Sequence, residues 1–329
     1  MQNKPISTQE TTAPLISFII PYYNLPMSML KECIDSIRQL SLRPSEREII
    51  LVDDGSERSP LSELGYCLDE LVCIRQKNGG LSAARNTGMR MATGTYVQFV
   101  DADDRLAHVA YEHCLDIVRF NAPDMLLFRH ADTPQESVAF DDTEPMSGTE
   151  YMRTHNIQGS AWGYLFNKRI LGNLRFTRGI YHEDEEFTPL LMLRADTVMA
   201  TNAEAYIYMQ RPDSIITSIG IRHRLRRIND TKGVLLRLNR LADTLPVESR
   251  MALERRVHQL TMDFIYNVIV LTRSQHYLER QLKELQLAGL YPLPDRKYTR
   301  KYDWFRRLVN HPMGLRMLMR AIPMMKKPR

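Results

Sequence analysis

The chain has 329 residues, 43% hydrophobic and 25% charged, with a formal net charge of +5; such a length sustains a large buried core and favours about two domains. No apolar stretch reaches the roughly 18 residues that a membrane-spanning helix needs, and the polar start through Thr12 lacks the pattern of a secretory signal. Cys33, Cys67, Cys73 and Cys114 have no Cys-x-x-Cys spacing, so neither a structural zinc site nor a secreted disulfide scaffold is indicated, and a reducing cytoplasm is the expected compartment.

Leu15 to Ile20 is a short β-branched run stopped by Pro21, which predicts a buried strand followed by a loop at Pro21 to Asn24. Met27 to Leu40 carries apolar residues at helical spacing. Glu48 to Val52 is a second buried strand, closed by Asp53-Asp54-Gly55-Ser56, so the opening segment reads as a βαβ unit. Leu71 to Ile74 predicts a third strand, followed by Lys77-Asn78-Gly79-Gly80 and a helix from Leu81 through Met91. The alternating segment Gly94 to Val100 then runs into Asp101-Ala102-Asp103-Asp104.

That acidic run is the strongest clue to chemistry. Carboxylates held so close repel unless a cation or a proton relieves them, and hard oxygen ligands at Asp-x-Asp spacing suit Mg²⁺ or Mn²⁺. The plainer alternative is an acidic turn in which Asp104 caps the next helix. Ligands of parallel α/β sheets gather at the strands' carboxyl ends, so the three terminal segments at Pro21, Asp53 and Asp101 are expected to line one crevice. The Gly-x-Gly-x-x-Gly dinucleotide fingerprint and the Walker pattern are absent.

Further on, Asp124 to Phe128 predicts a strand, Asp132 to Glu150 a loop or lid, and Trp162 to Phe166 another strand. Tyr181-His182-Glu183-Asp184-Glu185-Glu186-Phe187 heads a helix; acids favour a helix start, but capping uses only one or two of the four. From about Ile216 the chain turns helical and Arg-rich, and Arg255 to Leu290 reads as one long, little-interrupted helical segment ended by Pro292 and Pro294. From Arg296 onward there are eleven Lys or Arg and one acid, Asp303. Apolar and cationic residues mix there at near-helical spacing, as in a segment lying on an anionic membrane surface or in a helix packed on its own domain.

Together, Ser17 to Asn24, Ile49 to Ser56, Asn78 to Gly88 and Gly94 to Asp104 resemble a family 2 glycosyltransferase of bacterial surface-polysaccharide type. The resemblance extends over roughly Ile16 to Ser214, with Trp162, Lys168, Phe176 and Glu183-Asp184 also at matching positions. It implies an α/β GT-A fold, a Rossmann-like mixed sheet flanked by helices. The expected organisation is a flexible N-terminus at 1–13, a catalytic domain at 14–215, a helical accessory region at 216–295 and a basic amphipathic tail at 296–329.

The resemblance further implies an inverting, metal-dependent transferase that uses a nucleotide sugar, a UDP-hexose or UDP-N-acetylhexosamine by family habit. Its acceptor would be a saccharide or lipid-linked glycan, and it would work in the cytoplasm or peripherally on the inner membrane face. Pro21, Tyr23 and Asp53 would bind the base, with Asp54, Asn78, Arg85, Asp101 and Ala102 around the nucleotide. Arg85 would reach the base or diphosphate, or instead pair with Asp53 or Asp101. Asp103 would contact Mn²⁺ or Mg²⁺, with Asp101 on ribose or metal-bound water.

Asp184 matches the general base and Glu183 its neighbour, although consecutive helical residues point about 100° apart and Glu185 or Glu186 remain alternatives. His182 reads as a diphosphate contact or a structural hydrogen bond, and Trp162 as an acceptor stack or core packing. A catalytically inactive nucleotide-sugar or glycan binder of the same fold is the alternative function. No nucleic-acid partner is expected, because no recognition motif accompanies the basic tail and an acidic crevice repels a phosphate backbone.

Overall fold

A computed structural model describes residues 13–133, 139–209 and 220–325. Residues 1–12, the expected boundary at 215 and the last four residues of the tail lie outside these. The chain divides into two compact units, one formed by Met1–Glu144, Trp162–Asn173 and Met199–Met209, the other by Pro145–Ala161, Leu174–Val198 and Gln210–Arg329.

The first unit opens with β1 (Ile16–Tyr22), α1 (Met27–Arg38), β2 (Arg47–Asp53), β3 (Leu71–Arg75), α2 (Leu81–Met91) and β4 (Tyr96–Phe99). It continues with β5 (Arg105–Leu106), α3 (His108–Asn121), β6 (Met125–Ala131), β7 (Tyr164–Asn167) and β8 (Val198–Ile207). The sheet order is β3-β2-β1-β4-β7-β6-β8-β5. β1 to β4 run parallel, whereas β7 is antiparallel to β4 and β6, and β5 to β8. Because β1 and β2 pair with Tyr22 opposite Asp53, their carboxyl ends finish level on one edge.

All seven residues of β1 are buried because both faces of the strand are covered. Ile16, Phe18, Ile20 and Tyr22 share a core with Leu30, Cys33, Ile34 and Ile37 of α1. Ile19 points the other way, against α2. There Gly88 lies so close that a Cβ on it would stand 2.2 Å from Ile19 Cγ2. Gly88→Ala is therefore expected to destabilise the fold by about 1–3 kcal/mol despite the better helix propensity of alanine, a loss that denaturant melts would detect.

Several expectations change. β5 and β8 were not expected. Residues 139–147 of the expected lid are pinned, since Asp142 bridges to Thr201 and Met146 to Val198; residues 134–138 lie outside the described set. Asp104 does not cap α3, whose N-cap is Ala107 without a side-chain bond, because its carboxylate is engaged elsewhere.

The second unit is helical: α4 (Gly148–Thr154), α5 (Asp184–Met192), α6 (Ile221–Ala242), α7 (Val247–Thr272), α8 (Gln275–Leu287), α9 (Arg300–Val309) and α10 (Pro312–Met325). The expected long segment is two helices, because Arg273 takes a left-handed φ of 51° and Ser274 caps α8 by accepting from Tyr277 N–H. α7 is the hub against which α4, α6, α8, α9 and α10 pack. No helix among the described residues is long and apolar enough to cross a membrane.

Candidate active site

Where β1 ends, Pro21 is buried and Tyr23 is 50% exposed. At the level end of β2, Asp53 is 4% exposed. Its Oδ1 accepts from Ser56 N–H at 2.9 Å and holds the turn after the strand. Its Oδ2 is buried with no hydrogen-bond partner, the nearest cation being the half-exposed Arg75, whose Nε stands 3.5 Å away. A buried carboxylate oxygen left without a donor is costly and rare outside functional positions.

Asp54, expected among the nucleotide contacts, engages both oxygens within the protein. It accepts from Gln76 Nε2 at 2.6 Å, Gly79 N–H at 2.9 Å and Gly80 N–H at 2.7 Å. These bonds fix the Gly79-Gly80 turn that starts α2, where Gly80 occupies the N-cap with φ of +83°. Thr87 in turn donates to Gln76 Oε1 at 2.6 Å. Asn78 is exposed at the tip of this loop.

Beyond β4, the acidic run divides by environment. Asp101 pairs with the buried Arg85 (Nη2 to Oδ1, 2.9 Å), whose guanidinium also lies 5.8 Å from the Phe99 ring centre. The ion pair with Asp101, one of the two readings of Arg85, is present. Ala102 sits in the core, Asp103 is partly exposed and Asp104 is buried.

Tyr206 O–H donates to Asp104 Oδ2 at 2.8 Å and Met209 N–H to Oδ1 at 2.8 Å, while Asp101 N–H donates to Tyr206 Oη at 3.0 Å. Burial, then the neighbouring Asp101 and Asp103, push the Asp104 carboxyl up to about 8 against those two bonds. Proton uptake at Asp104 thus relieves part of the repulsion within the run. Among the described residues no three His, Cys, Asp or Glu side chains form a ready metal cage.

Glu183 and Asp184 belong to the second unit. Glu183 is 6% exposed at the N-cap of α5, and Asp184 Oδ1 accepts from Glu185 N–H at 3.0 Å. The next two acids are held by the C-terminal helices. Glu185 pairs with Arg256 of α7, and Glu186 forms a two-bond pair with Arg237 of α6 at 2.5 and 2.9 Å while also accepting from Thr177 Oγ1 at 2.7 Å. Glu185 and Glu186 therefore anchor the helix. His182, just before Glu183, is half-buried with a left-handed φ of 61°, and desolvation together with Arg227 lowers its pKa.

In the first unit, Trp162 stacks on Tyr206 (ring centres 4.5 Å apart, 14° between planes) and packs on the core. Tyr206 and Met209, which hold Asp104, were missed in the sequence, although the alternation Asn202-Ala203-Glu204-Ala205 before them is a legible strand signal.

A twisted sheet with parallel β1 to β4, antiparallel additions and acids at the strands' carboxyl ends is the GT-A architecture. Residues 17–178 match the family model for glycosyl transferase family 2, which places that part of the chain in the family. The chain is 34% identical over 219 residues to a protein of Bacillus subtilis (strain 168) described as the uncharacterized glycosyltransferase EpsJ, covering 61% of this chain and 63% of that one.

Among solved structures, S. aureus TarS 1-349 shares the fold with a TM-score of 0.61 at 19% identity over 90% of each chain; it has also been solved in complex with UDP-GlcNAc. The mannosyltransferase PcManGT from Pyrobaculum calidifontis, solved in complex with GDP-Man and Mn²⁺, gives 0.55 at 15% identity over 91% of this chain and 88% of that one. The chain spans less than two thirds of the curated relatives it matches first, 63% of EpsJ and 31% of the glycosyltransferase GlyA of Streptococcus pneumoniae serotype 4.

Proposed function

We propose that this chain is an inverting glycosyltransferase that moves a sugar from a nucleotide-diphosphate donor to a hydroxyl of a saccharide or lipid-linked saccharide during cell-surface polysaccharide synthesis. The observation that carries the donor half is the orphaned Oδ2 of Asp53 beside Pro21 and Tyr23. A carboxylate is an acceptor only, so it selects bases that present a ring N–H, as uracil and guanine do, over cytosine and adenine, which present a lone pair there. The complexes of TarS with UDP-GlcNAc and of PcManGT with GDP-Man agree with such a choice. UDP is our reading for this chain.

A divalent ion, Mn²⁺ or Mg²⁺, fits the residues present as a shared site. Such ions are commonly held by one or two carboxylates plus substrate phosphates and water, without an all-protein cage, and Asp101 and Asp103 supply two partly exposed carboxylates, Asp101 being paired with Arg85. Asp103 would hold the ion, with Asp101 beside it oriented by Arg85. When bound, the ion stabilises the charge that develops on the leaving diphosphate. Asp184 serves as the base that takes the acceptor hydroxyl proton, with Glu183 as its neighbour. Four free cysteines suit a reducing compartment, and we place the reaction in the cytoplasm.

Asp53→Asn tests the donor reading. It keeps an oxygen for Ser56 N–H and substitutes an N–H where Oδ2 stood. Titration calorimetry is expected to show UDP binding weakened by at least about tenfold, given the strength of hydrogen bonds to charged groups, while CDP loses little. Equal UDP affinity in the two proteins would remove Asp53 from the base pocket.

A further inference from the structure

We propose that the outward faces of α9 and α10 form a docking surface for an anionic lipid bilayer. α9 turns Tyr302, Phe305 and Val309 inward and leaves Arg300, Lys301, Trp304 and Arg307 exposed. α10 buries Gly314, Leu318 and Ile322 and leaves Met313, Arg316, Met317 and Arg320 exposed, at spacings of three and four that place them on one face. The exposures are large for apolar side chains: 72% for Met313, 60% for Met317 and 57% for Trp304.

The charge carried by α10 has one sign, and Glu279 of α8 lines the groove beside Arg316. No acid occurs from His311 onward, and neither Arg316 nor Arg320 forms an ion pair among the described residues. On α9 the acid Asp303 is taken up by Arg306 and Arg307, Arg306 also reaches Asp295, and Lys301 pairs with Asp263 of α7 at 3.7 Å, so among the described residues the unpaired cations of the surface are Arg300 on α9 and Arg316 and Arg320 on α10.

Apolar side chains interleaved with guanidiniums along one helix face match the two layers of a bilayer surface. The methionines and tryptophan enter the acyl boundary, and the arginines stay at the depth of the lipid phosphates. An acidic surface adds attraction for each cation near it. RNA would answer the charge but not the methionines, since base stacking calls on aromatic rings and these faces expose a single one, Trp304. The assignment rests on these faces alone and on no part of the transfer reading.

The test is flotation of the full chain with vesicles of pure phosphatidylcholine, with vesicles of phosphatidylcholine and phosphatidylglycerol in equal parts, and with a single-stranded RNA at the same salt concentration. The expected result is binding to the anionic vesicles only, reduced at least about tenfold in Met313→Ser/Met317→Ser and in Arg316→Glu/Arg320→Glu. All four side chains are exposed, so melting curves of both variants should overlay wild type. Absence of binding to anionic vesicles, undiminished binding by both variants, or preference for RNA would overturn the proposal. Because flotation reads lipid contact without turnover, its failure is distinct from failure of the glycosyltransferase reading.

Discussion

Asp184→Asn is expected to lower kcat for sugar transfer by about a hundred- to ten-thousandfold with donor affinity unchanged, the range that a positioned acid–base group contributes. The same change at Glu185 or Glu186 should act differently. Their carboxylates are tied to Arg256 and to Arg237 with Thr177, so Glu→Gln there weakens the anchoring of α5 and lowers stability before it touches chemistry. Steady-state kinetics with the saturating donor, read beside thermal melts of each variant, separate the two roles. A stable Asp184→Asn protein with near-normal kcat would move the base elsewhere, and Glu183, buried at the same helix start, would be the next residue to test.

Arg256→Ala carries the largest expected cost in stability, about 2–4 kcal/mol. Its side chain is 7% exposed, donates to Ile157 O at 3.1 Å and pairs with Glu185, so truncation opens a cavity and leaves a largely buried carboxylate without its cation. Gly159 reinforces the site, because any Cβ there would stand 2.3 Å from Glu185 Oε2. Arg256→Lys is expected to recover only part of the loss, since one ammonium does not reproduce the fork that reaches both a carbonyl and a carboxylate. Arg237→Ala should cost less, because that side chain is 38% exposed and its pair is screened by solvent. Denaturant melts with less than about half a kcal/mol lost in Arg256→Ala would show that the pair does not anchor α5.

The elements that sequence reading places well are those whose signals are local. Leu81–Met91 is helical over the range that Gly79-Gly80 and the following periodicity indicate, and β2 ends where Asp53-Asp54-Gly55 interrupts a β-branched run, whereas β1 continues through Pro21 to Tyr22, past the expected stop, because its pairing with β2 extends to Tyr22 opposite Asp53. β8 carries an alternating pattern that is legible at Asn202 to Ala205, but it is easily passed over because its Asn, Ala and Glu residues have weak strand propensity and the strand is held by its sheet neighbours. The break at Arg273 escapes because an apolar periodicity continues across it from α7 into α8.

The site divides in the same way. Asp53, Asp101 and Asp103 are legible because they punctuate strands. The part played by Asp104 is not, since Tyr206 and Met209 lie 102 and 105 residues further on. The engagement of Glu185 and Glu186 depends on Arg256 and Arg237, which lie 71 and 51 residues beyond their partners. No local pattern in Glu183 to Glu186 encodes those pairings.

The most direct test of nucleotide-sugar chemistry at this site is a donor panel of UDP-, GDP- and TDP-sugars, each with Mn²⁺, Mg²⁺ or a chelator, measured for binding and slow hydrolysis on wild type and Asp103→Ala. One donor, expected to be a UDP-sugar, should bind or hydrolyse only with metal, and that response should be lost in the variant. No metal-dependent response to any donor, or a full response in Asp103→Ala, would contradict this assignment.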